Sequence, residues 1–118
     1  MTNKEYLESI EGLHINNAKV SKIESLFGTE MSEIIKRIIS NNDRTIFLEE
    51  CRVLSYDEIV DAEVDLHVDF KGKQILPLFD CWDNDFMVYH YGTGKWSLSN
   101  IVDECVFEMR DSLAELLE

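Results

Sequence analysis

Asp80, Asp83 and Asp85, with Asn84 beside the last two, place three carboxylates and an amide within six residues. Oxygen donors at that density suit a hard cation or acid–base chemistry. The spacing does not make a calcium loop, because the DxDxDG ladder and its distal glutamate are absent. Asp and Asn also build turns by bonding their own backbone. A turn, a contact for a partner and a metal site therefore all remain open for Asp80 to Asp85. Trp82 stands inside the cluster. A tryptophan in a turn either folds back onto the core or stays outside as an anchor, and interfaces are enriched in it.

Other chemistry-bearing residues are less ordered. Gly92-Thr93-Gly94-Lys95 resembles a phosphate loop only in part. It lacks the GxxxxGK[ST] span and falls between two strand-like runs, so it reads as a hairpin. His14, His67 and His90 have no spacing that makes a metal site. Nucleophilic catalysis needs a Ser or Cys beside a His and an orienting carboxylate, and no local pattern supplies one. Cys51, Cys81 and Cys105 are odd in number and widely spaced. No CxxC pair exists, so zinc-ribbon and redox readings find no support, and free, mostly buried thiols are expected. No cofactor is expected.

Charge sets the second constraint. The 118 residues hold 11 basic and 24 acidic groups, a net charge of −13. Residues 53–118 hold 4 basic and 15 acidic groups of that total. Such a surface repels nucleic acid, which excludes direct DNA or RNA binding. It keeps a protein soluble, and it also attracts a basic protein partner, with encounter rates on the order of 10⁸–10⁹ M⁻¹s⁻¹ at low salt. The polar start MTNKEYLESI has no signal core, and no apolar run approaches the roughly 20 residues of a membrane span. A cytoplasmic, membrane-free monomer is the expectation.

The elements that position these residues follow from patterning. One domain over 1–118 is expected, with residues 1–17 as a peripheral N-terminal segment. Asn16 and Asn17 offer caps for a helix from Ala18 to Phe27, and Gly28 stops it. Thr29 caps the next helix, whose buried face is Met31, Ile34, Ile35, Ile38 and Ile39. Thr45 to Leu54 reads as one strand. Ser55 and Glu58 form a capping box for a short helix. From about Ala62 to Phe70 apolar residues alternate with Glu63, Asp65, His67 and Asp69, which predicts a strand with an acidic outer face. Lys71-Gly72-Lys73 turns the chain into a strand over Ile75 to Phe79. There Pro77 demands an edge or a bulge. Strands over Phe86 to Tyr91, Lys95 to Leu98 and Cys105 to Met109 follow, then a helix capped by Asp111 or Ser112. The fold class is α+β: N-terminal helices packed on an antiparallel β-meander with a C-terminal helix.

Residues Ile75 to Cys81, Asp83 to Phe86, the Val-Tyr strand, Thr93-Gly94-Lys95-Trp96 and a late Ser-Leu helix resemble the SUKH superfamily. The resemblance covers residues 18–118 and is sharpest over about 25 of them. Trp82 stands where that family commonly has a small residue, and Thr29-Glu30-Met31 where it often has a proline. The resemblance implies a SUKH-like fold and an immunity protein that neutralises a polymorphic or contact-dependent bacterial toxin by occluding its active site. A nuclease toxin, with a basic substrate cleft, would suit the charge. Glu63, Asp65, His67, Asp69, Asp80, Trp82, Asp83 and Asp85 are the expected partner-binding residues. The alternatives are a non-enzymatic adaptor or regulator of the same fold, and an acid-based enzyme using Asp80, Asp83 and Asp85.

Overall fold

The structure is a computed structural model that describes residues 1–118. Helix α1 (Asn3–Ile10) opens in a reciprocal cap: the Thr2 hydroxyl accepts from the Glu5 N–H, and the Glu5 carboxylate accepts from the Thr2 N–H. Tyr6 and Ile10, one turn apart, share its inner face and are buried. Tyr6 meets Phe79 edge-on, with ring centroids 6.0 Å apart. The expectation of a peripheral segment over residues 1–17 is thus corrected, because two of its side chains belong to the core.

Helix α2 (Asn17–Phe27) starts where Asn16 Oδ1 accepts from the N–H groups of Ala18 and Lys19. It ends at Gly28, whose φ of +70° is the left-handed conformation that glycine adopts freely. Helix α3 (Glu33–Ser40) begins at Ser32, not at Thr29. The cause is the closure of α2: Gly28 and Thr29 both donate backbone N–H bonds to Glu24, and the Glu24 carboxylate takes the Met31 N–H at 2.8 Å. Ile35, Ile38 and Ile39 are buried, as is Met31 ahead of the helix.

Residues 45–54 are a hairpin rather than one strand. Strands β1 (Ile46–Phe47) and β2 (Arg52–Val53) pair antiparallel. Glu49-Glu50 sits at the tip, where two adjacent acids resist extended pairing, and the Leu48 N–H bonds the Cys51 carbonyl at 2.8 Å. The Ser55–Glu58 box forms in full and opens α4 (Tyr56–Val60).

The strand expected over Ala62 to Phe70 is helical instead, as α5 (Ala62–Leu66) and α6 (Phe70–Lys73). Any period-two pattern of nine residues also contains every i,i+4 pair. Ile59, Ala62 and Phe70 are buried and Leu66 half-buried, at helical intervals, whereas Val64, apolar in the alternation, is 76% exposed. His67, expected on a strand face, closes α5 with φ +54°.

The rest is a meander: β3 (Ile75–Asp80), β4 (Asp85–His90), β5 (Lys95–Asn100) and β6 (Cys105–Arg110), then α7 (Leu113–Leu117) capped by the Ser112 hydroxyl. The six strands lie in sequence order, each antiparallel to the last. Register shifts between Pro77 and Phe79, and β2 pairs only with Phe79 and Asp80. No strand on that side requires an N–H from Pro77. Helices cover both faces. Phe79 points to α1, while Phe86 and Asp80 share a groove with α4 and α5. Strand β6 has one neighbour, and all six of its residues are exposed. No helix is long and apolar enough to cross a membrane.

Candidate binding surface

Arg52 organises one end of the sheet. Its guanidinium forms two bonds of 2.9 Å to the Glu58 carboxylate and reaches Asp80 Oδ2 at 3.1 and 3.2 Å. The fork geometry of arginine permits both partners at once. The three side chains are 19%, 38% and 17% exposed. Hydrogen bonds from Arg52 hold the Glu58 carboxyl below its ordinary pKa, and the neighbouring carboxylates raise the guanidinium in turn.

Asp80 also starts the β3–β4 turn. Its Oδ1 accepts the Trp82 N–H at 2.9 Å, an Asx turn. Trp82, Asp83 and Asn84 then take three consecutive left-handed conformations, with φ of +71°, +52° and +68°. Such a run persists only where surroundings hold it. Here the Asn100 amide donates to the Asp83 carbonyl at 3.2 Å and to Asp85 Oδ1 at 2.9 Å, and the Ile101 N–H bonds the Asn84 carbonyl at 2.9 Å. The result is a braced tip that presents Asp83 and a 49%-exposed Trp82.

The eight expected contact residues do not form one patch. Asp80 and Asp65 line the same shallow groove, with Arg52, Glu58, Leu66 and Phe86. Glu63 pairs with Lys71 at 3.4 Å. Asp69 caps α6 by accepting the Gly72 N–H. Glu63 and Asp69 both act on the Tyr91 phenol, at the opposite end of β3 and β4. Five residue steps of strand separate the two ends, about 17 Å. Asp80 is occupied by Arg52 and Asp85 by Asn100, so Asp65, His67, Trp82 and Asp83 are the members with exposed, uncommitted side chains.

Three arrangements lie outside what spacing along the chain reveals. Arg52 is 28 residues from Asp80. Cys51 and Cys81 follow the Arg52–Asp80 pair in the β2–β3 register, 30 positions apart in the chain. His90 Nε2 lies 2.6 Å from Ser97 Oγ, which lies 2.8 Å from Ser99 Oγ. That relay borders a groove of about 290 Å³ whose lining includes Val68, Lys73, Ile75 and Val106. A serine beside a histidine is the core of a nucleophilic site, but Ser97 is fully buried, so its hydroxyl cannot meet a substrate carbonyl in this geometry. Burial lowers the His90 pKa and favours the neutral ring. No group of three or more His, Cys, Asp and Glu side chains converges as a metal site would. No protein-family model, curated protein or solved structure matches this chain.

Proposed function

We propose that this chain is a binding protein, and that it acts as an immunity protein that occludes the active site of a toxin domain with a basic surface. The observation that carries the reading is the braced β3–β4 tip, an exposed tryptophan joined to an unpaired carboxylate. A rigid aromatic anchor loses little entropy on docking, and a Trp of this kind is worth about 2 kcal/mol or more. The surplus of acid over base in residues 53–118 supports a basic partner and a salt-sensitive association rate. The toxin role comes from the SUKH resemblance, and the chain works as a cytoplasmic monomer in this reading.

The test is co-expression with the product of the adjacent gene, then capture of the complex and a growth-protection assay. Wild type should bind and protect. Trp82→Ala combined with Asp83→Asn should weaken binding more than tenfold while leaving the melting temperature unchanged. Equal affinity in the double variant at low salt removes the tip from the interface. Growth inhibition undiminished by the wild-type chain removes the immunity role.

A further inference from the structure

We propose that Cys51 and Cys81 are a disulfide-forming pair, a site of reversible oxidation by small-molecule disulfides such as oxidised glutathione. The assignment is independent of any toxin. It rests first on register. Val53 lies opposite Phe79, and Arg52 opposite Asp80. The next residue along each strand is Cys51 and Cys81. Antiparallel partners hold their Cα atoms about 4.5–5.5 Å apart, inside the span of about 4.4–6.8 Å that a disulfide bridges. Alternation directs both thiols to the Val53 and Phe79 face, away from the Arg52–Asp80 ion pair.

The sulfurs already interact. A hydrogen bond from the Cys81 thiol favours the Cys51 thiolate, and the same bond together with burial raises Cys81. The pair shares one proton more readily than two isolated thiols would. Access is asymmetric: Cys51 is 3% exposed and Cys81 half-buried. Reagents therefore enter at Cys81, whose thiol holds its proton more tightly than that of Cys51.

The chemistry balances in two exchanges. The Cys81 sulfur attacks one sulfur of oxidised glutathione, forms a mixed disulfide and releases one glutathione thiolate. Cys51, deprotonated, then attacks the Cys81 sulfur and expels the second. Two protein S–H bonds are lost, one S–S bond is made, and the two protons end on the two reduced glutathione molecules. The product ties the β1–β2 hairpin to the base of the Trp82 tip.

Cys105 is exposed and lies on β6, so Cys105→Ser gives a folded background for the measurement. The reduced Cys105→Ser chain is incubated with oxidised glutathione, then denatured and titrated for thiols. Free thiols should fall from two to none with a mass loss of two hydrogens, and a crosslinked peptide should join residues 51 and 81. The oxidised form should melt higher, because the bond closes a long loop in the unfolded chain. Reducing agent should restore both thiols. Cys81→Ser with Cys105 retained should give no intramolecular bond. Two thiols left free, glutathione held at Cys81 without a crosslink, or a bond only between chains would each overturn the pair.

Discussion

Arg52 holds the two half-buried carboxylates Glu58 and Asp80 on one side chain, so its loss leaves both without a cation. Arg52→Leu should therefore destabilise the fold by about 2 kcal/mol, discounted for the exposure of Glu58. Urea unfolding measures this, and a change below about 0.5 kcal/mol would show that solvent already screens the network. His90 gives the pH test. Its folded pKa lies below the ordinary 6.5 because burial disfavours the charged ring. The unfolded chain therefore takes up the proton first, so stability is present above about pH 6.5 and falls as acid is added through the folded value. His90→Gln should flatten that part of the profile, read by thermal melting across the window. Glu58 adds loss at lower pH: its pKa is depressed, so its contribution fades as pH falls from the ordinary carboxylate value through the folded one. None of these pairings was legible in the sequence. Arg52 and Asp80 are neighbours through strand register, and reading residues 45–54 as one strand hid the hairpin that sets it.

Caps decide where the elements start and stop. The Ser55 hydroxyl serves only α4, whereas Glu58 both completes that box and pairs with Arg52. Ser55→Ala should cost about 1 kcal/mol, and Glu58→Ala more, because it also removes the two-bond partner of Arg52 and leaves the guanidinium to Asp80 alone. Denaturant midpoints of the two variants settle the order, and an equal loss would mean that the ion pair adds nothing. Gly28→Ala, forced to φ +70°, should cost about 1 kcal/mol as well. These signals were legible because a cap is local chemistry: Asn16, Gly28, Ser55 and Ser112 are readable from the chain, and so are the turns at Asp80 to Asp85 and Gly92 to Gly94. Residues 62–70 were not. Their alternation satisfies strand and helix alike, and only packing against Leu54 and Phe86 chooses.

At the scale of the molecule, a net charge of −13 presses against compaction. Raising neutral salt from low to physiological ionic strength should increase the urea midpoint, as screening shortens to about 8 Å. An unchanged midpoint would mean that the eight ion pairs already balance the field. The α+β class was legible as a whole, from helical stripes before residue 40 and turn residues after 70. The distribution of the acids was not, because it depends on which ends of β3 and β4 their helices reach. The strictly sequential strand order has a kinetic consequence. Every pairing in the sheet joins strands that follow one another in chain order, so no strand has to wait for a later one to be inserted between its neighbours. Assembly can advance by zippering one hairpin onto the next, with only the β2–β3 pair closing across the helices α4 to α6, and refolding should be quick for a protein so rich in β-structure.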